Sequence, residues 1–91
     1  MEIEEIEVRL DALIESLAAQ EHLRWAHWQR YLHGKAERRT DGALVLPAHL
    51  VELWEGQIER SYNELSETEK ESDREQVRRY LPLIIAALTQ R

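Results

Sequence analysis

Apolar positions recur every three or four residues through three stretches of the chain, and each stretch predicts an amphipathic helix. In the first, Ile6, Leu10, Leu13 and Leu17 are spaced four, three and four apart, which sets them on one helical face. Ile14, Ala18, Glu21, Trp25, Trp28 and Leu32 continue the spacing on a neighbouring face. No glycine or proline interrupts residues 1–33, and good helix formers dominate them. The pattern predicts one long helix over residues 3–33, bent near Gln20. Gly34 is the expected stop, because glycine accepts the left-handed geometry of a helix end. Arg30 and His33 suit the negative end of the helix dipole there.

The second stretch follows a connector over residues 35–46. Thr40-Asp41-Gly42 is a turn signal, and Ala43 to Leu46 is an apolar run too short to classify. It reads as an extended segment laid over the core, with no strand to pair with. Pro47 then suits a helix start. Leu50, Trp54 and Ile58 recur every four residues, with Val51 and Leu53 beside them, giving a helix over residues 47–60. Gly56 weakens it by about 1 kcal/mol relative to alanine. Ser61 to Leu65 reads as a link.

Ser66 and Glu69 have the form of a capping box, so a third helix is expected over residues 66–90. Val77, Leu81, Ile84 and Leu88 supply its apolar stripe. Pro82 removes one helical hydrogen bond and predicts a kink or a restart near Tyr80 or Leu81. The expected fold is therefore all-α, with three main helices and a long N-terminal one. Residues 1–13 form a helical extension and residues 14–91 the domain proper. The stripe Ile6, Leu10, Leu13 and Leu17 has two readings: a homodimer seam, or packing onto the chain's own C-terminal helix.

Composition narrows the function classes. Ninety-one residues support one domain with a modest core. The chain has no cysteine, which excludes disulfides and thiolate metal sites. A net charge of -6 disfavours binding a nucleic-acid polymer. The charge is segregated, however. Glu2, Glu4, Glu5, Glu7, Asp11 and Glu15 face only Arg9 near the N-terminus, whereas Arg24, Arg30, Lys35, Arg38 and Arg39 face only Glu37 further on. A local anion site is thus compatible with an acidic protein. No apolar run reaches the roughly 20 residues of a membrane span. The acidic N-terminus lacks the basic start of a signal peptide, so a cytoplasmic protein is expected.

The chemistry-bearing residues fall in two places. His22, Trp25 and Gln29 form one ridge near Arg30, a combination able to stack on a flat ligand and pair with its anionic group. The plainer reading makes Trp25 and Trp28 core residues and His22 a histidine at the core edge. Counting back from Val77 by four and three reaches Asp73 and Lys70, which puts charges on the extension of an apolar stripe. An inward charge requires a partner. A polar cluster of Glu21, His22, Lys70, Asp73 and Arg74 is therefore expected between the first and third helices. It serves either to fix helix register or as the floor of a ligand site. The four histidines lack a ligand-grade spacing, so no metal or cofactor is expected. With no nucleophile motif and no phosphate loop, no catalytic residue is expected either.

Two blocks carry a family resemblance. Leu17-Ala18-Ala19-Gln20-Glu21-His22-Leu23-Arg24-Trp25-Ala26, with Arg30 beyond it, resembles the opening helix of the RyR domain, the repeat first described in ryanodine receptors. Tyr62-Asn63-Glu64-Leu65-Ser66-Glu67-Thr68-Glu69-Lys70-Glu71-Ser72-Asp73-Arg74 resembles its second signature. Val77 and the Leu81-Pro82 step resemble its ending. Tyr31-Leu32-His33-Gly34 stands where the family shows Gly-Trp, and Ala43 to Ser61 replaces its His-Pro loop. The resemblance implies a small helical module without catalysis, of a kind that occurs alone in bacteria and their viruses. Two roles follow as expectations. One is protein interaction or assembly, with a homodimer through Ile6, Leu10, Leu13 and Leu17. The other is binding of an anionic, nucleotide-derived ligand by His22, Trp25, Arg30, Lys70, Asp73 and Arg74.

Overall fold

The computed structural model describes residues 1–90 and is predominantly α-helical. The first predicted helix is two: α1 (Ile3–Asp11) and α2 (Ile14–Lys35). The interruption lies at Ala12 and Leu13, not at Gln20. Both residues keep right-handed helical angles, and the Leu13 amide bonds back three residues to the Leu10 carbonyl at 2.9 Å. The axis tightens there without a breaking residue. Gly34 does not stop α2, which runs on through Lys35. Gly42 alone takes a positive φ among the described residues, at 92°.

A two-stranded antiparallel hairpin follows. β1 (Glu37–Arg38) pairs with β2 (Leu44–Val45), Glu37 opposite Val45 and Arg38 opposite Leu44. The apolar run Ala43 to Leu46 therefore does have a partner, which the expectation of an unpaired segment missed. Its turn is the predicted Thr40-Asp41-Gly42. The Asp41 carboxylate accepts from the Ala43 amide at 3.0 Å, and the Arg39 amide donates to the Ala43 carbonyl at 2.8 Å.

α3 (Ala48–Glu59) starts one residue after Pro47, whose carbonyl accepts from Leu50 and Val51. The link beyond it holds a single 3-10 turn over Tyr62–Glu64, capped reciprocally by Ser61 and Glu64. α4 (Glu67–Thr89) opens on the expected capping box. Ser66 Oγ accepts from the Glu69 amide at 3.2 Å, and the Glu69 carboxylate accepts from the Ser66 amide at 3.0 Å. These bonds, with Gln57 and Arg60 adding to them, hold the Glu69 carboxyl below its ordinary pKa. α4 runs through Pro82 without the expected restart.

α4 is the spine of the molecule, packing along both α1 and α2. Of the predicted stripe, Ile84 and Leu88 lie on the covered side of α4 and Val77 and Leu81 do not. Gln76, Tyr80, Leu83, Ile84, Ala87 and Leu88 are covered, whereas Val77 and Leu81 are 53% and 44% exposed. Counting by fours from Val77 through Leu81 to Ile85 traces a second, outward strip. The sequence carries two apolar faces on this helix, and the one packed toward α1 and α2 includes Tyr80, whose hydroxyl bonds Glu21. The result is an elongated body measuring 55 × 34 × 17 Å, in which Ala87 is the one buried apolar residue among the described residues.

Candidate functional site

The expected polar cluster between the helices does not assemble as drawn. Lys70 is half-buried, but its ammonium lies 3.8 Å from Glu67 and 5.7 Å from the centre of the Tyr62 ring. Arg74 lies 3.2 Å from Glu67 and 3.3 Å from Glu71, and Arg78 also pairs with Glu71. Arg78 first and Arg74 second lower the Glu71 carboxyl below its ordinary pKa. Lys70, Arg74 and Arg78 thus find partners on their own helix, where residues three, four and seven apart are neighbours. Asp73 is exposed and borders a recess of about 380 Å³ with Trp28, Leu32 and Trp54. His22 is exposed on α2 and stacks on Trp25, with ring centres 5.8 Å apart and planes 23° apart. Trp25 is no core residue either, at 58% exposed.

The polar link that does join α2 to α4 runs through Glu21 and Tyr80. The Tyr80 hydroxyl donates to the Glu21 carboxylate at 2.6 Å, and Arg24 pairs with the same carboxylate. Arg24 first and Tyr80 second lower the Glu21 pKa, while the hydrogen bond to Glu21 raises that of Tyr80. Glu21 belonged to the expected cluster. Tyr80 did not; the sequence marked it only as a place for the kink expected before Pro82. Arg9 makes a second clasp unseen in the sequence. Its guanidinium donates to the carbonyls of Ala87 and Gln90 at the end of α4 and pairs with Glu5 at 2.9 Å. A lone arginine in an acidic helix gives little notice of this, since its acceptors lie about eighty residues away.

Two of the six expected ligand-binding residues do share a groove. Trp25 and Arg30 line a cavity of about 720 Å³ with Gln29, His33 and Arg38. It lies where the last turns of α2 meet Ala36 and Arg38, just beyond the helix. Arg38 and His33 were missed. The signal for Arg38 was the basic stretch over residues 24–39, already compatible with a local anion site. Neither Arg30 nor Arg38 takes part in any ion pair among the described residues, although Arg9, Arg24, Arg39, Arg60, Arg74 and Arg78 all do. The groove is therefore cationic, aromatic and unpartnered inside an acidic chain.

The expected dimer seam is largely covered within the chain. Ile6, Leu13 and Leu17 are half-buried where α1 and α2 meet α4, and Leu10 sits at the margin, 37% exposed. The apolar residues left open on α1 and α2 are others, among them Ile3, Val8, Ile14 and Trp25. No helix of the described residues is long and apolar enough to cross a membrane. The chain matches no protein-family model, no curated protein and no solved structure.

Proposed function

We propose that this is a non-enzymatic, cytoplasmic, RyR-like helical module that acts in protein interaction or assembly. The observation that carries the reading is surface the chain does not cover by itself. A compact folded protein of 10.8 kDa exposes about 5,500 Å², and this one exposes 7482 Å². Its radius of gyration is 18.2 Å, against about 12 Å for a compact domain of this length. Ile58, Ile85, Val77 and Trp25 all stand more than half exposed. Open surface on this scale, with large apolar side chains in it, supports an interaction site. Small-angle scattering tests the reading. An associated species, or a monomer that keeps a radius near 18.2 Å, agrees with it. A monomer that closes to about 12 Å would remove its basis.

A second reading takes support from the groove of Trp25, Arg30, His33 and Arg38: capture of an anionic, nucleotide-derived ligand. An indole face and two guanidinium groups suit a flat anion. Melting temperature measured across a nucleotide panel tests it. A shift for one nucleotide that disappears in Trp25→Ala supports ligand capture, and a flat panel sets it aside.

A further inference from the structure

We infer that the partner of this module is a second copy of the same chain, docked antiparallel, with the acidic α1 of one protomer lying in the Trp25–Arg30–Arg38 groove of the other. The inference rests on the interaction reading above and names its partner.

Charge complementarity within one sequence is the first ground. The unpaired cations Arg30 and Arg38 lie at the C-terminal end of the α1–α2 rod. Glu4, Glu7, Asp11 and Glu15 lie on its N-terminal part, all exposed, and none enters an ion pair among the described residues. A head-to-tail charge dipole of this kind satisfies itself when two copies run in opposite directions, and it repels a parallel arrangement.

Register is the second ground. Ala12 and Leu13 keep right-handed helical angles between α1 and α2, so at about 1.5 Å per residue Arg30 stands roughly 15 Å from Gln20 and the same step the other way ends near Leu10. A two-fold axis crossing near Gln20 thus brings Glu7 and Asp11 of each protomer toward Arg30, His33 and Arg38 of the other. The same operation sets exposed Ile14 beside exposed Trp25, with the small side chain of Ala18 near the axis. Isologous contacts of this form are the commonest in soluble oligomers.

Area is the third ground. The excess exposed surface is about 2,000 Å² per chain, and a stable interface takes about 800 Å² from each partner. A small anion in the groove would neutralise Arg30 and Arg38 but leave Ile14, Val8 and the four acids uncovered. A second copy covers Ile14 and Trp25 and pairs Glu7 and Asp11 in the same contact.

Reciprocal charge reversal tests the inference on the full chain, with sedimentation equilibrium for mass and circular dichroism for folding. The wild type is expected to be a dimer. Arg30→Glu with Arg38→Glu, and separately Glu7→Lys with Asp11→Lys, are expected to stay helical and to raise the dimer dissociation constant roughly 100-fold or more, because each places like charges across the contact. Mixed one to one, the two variants are expected to recover a heterodimer, since both arm–groove contacts then pair opposite charges. A wild-type dimer indifferent to both reversals would overturn the inference and move the interface elsewhere, for instance to Val77, Leu81 and Ile85. An extended monomer at every concentration would overturn it while leaving interaction with a different protein standing. A compact monomer would end both readings.

Discussion

Arg9 does more for this fold than its place in an acidic segment suggests. The last carbonyls of any helix have no partner within it, and a cation there satisfies both their hydrogen bonding and the dipole. Arg9 performs this for α4 from a helix at the opposite end of the sequence. Arg9→Ala is expected to cost about 1–2 kcal/mol in urea unfolding, and amide exchange should quicken in α1 before α2. Gln76 presents the opposite case. Its Oε1 is buried without a hydrogen-bond partner. Gln76→Leu keeps similar volume and removes the stranded acceptor, so a gain of about 1 kcal/mol is expected by thermal melting. Glu21 gives the fold a pH dependence. Its carboxyl is lowered from 4.5 in the folded state, so the folded chain binds fewer protons than the unfolded one. That stability is present above pH 4.5 and is lost as pH falls through the lowered folded value. Tyr80→Phe removes one of the two bonds responsible. The decline in melting temperature from pH 5 to pH 3 should then be shallower than in the wild type, though not abolished, because Arg24 remains and Glu69 and Glu71 are lowered too.

Helix boundaries followed local chemistry only where that chemistry was strong. Both Ser-x-x-Glu boxes closed as such motifs do, although the one at Ser61 and Glu64 was read as plain link. Gly34 failed as a stop because nothing demanded a left-handed residue there; the chain leaves α2 in extended geometry at Ala36 to enter the hairpin. Pro82 was tolerated within α4, where it stands exposed with its ring clear of the packed face. Glycines separate the elements by substitution. At Gly56 an added Cβ would meet the far end of Arg60 at 3.2 Å, a flexible group able to move aside. Gly56→Ala should therefore stabilise α3 by about 1 kcal/mol. Gly42→Ala meets no atom but inherits a φ of 92°. It should destabilise the hairpin by about 1–2 kcal/mol. Paired chemical denaturation curves, which should move in opposite directions, check both.

At the scale of the whole molecule, shape and charge belong to one account. An elongated chain with separated acidic and basic ends leaves both surface and charge unanswered until another chain meets it. The arm–groove contacts lie at an aqueous surface, where the screening length is about 10 Å at 0.1 M salt and about 3 Å at 1 M. The dimer dissociation constant is therefore expected to rise from 0.05 M to about 0.5 M sodium chloride, measured by sedimentation equilibrium. An interface built on Val77, Leu81 and Ile85 would instead hold or tighten, because apolar contact is not screened.

Periodicity, turn chemistry and composition were enough to establish an all-α chain, the three helical stretches, the cap at Ser66 and the turn at Gly42. Each of these depends on residues a few positions apart, where geometry is nearly independent of the rest of the chain. Which face of α4 turns inward was not legible, because Val77-Leu81-Ile85 and Tyr80-Ile84-Leu88 are equally good four-residue series. That choice is made by packing against α1 and α2, which local periodicity does not report. For the same reason Lys70, Asp73 and Arg74 read as facing the first helix, whereas Lys70 and Arg74 pair within α4 and Asp73 stands exposed. The groove arose where neither periodic helix would place it, at the joint of α2 with a hairpin too short to register as strands. Contacts between residues distant in sequence are set by how helices rotate against one another, and a one-residue difference in that rotation moves a side chain by about 100°.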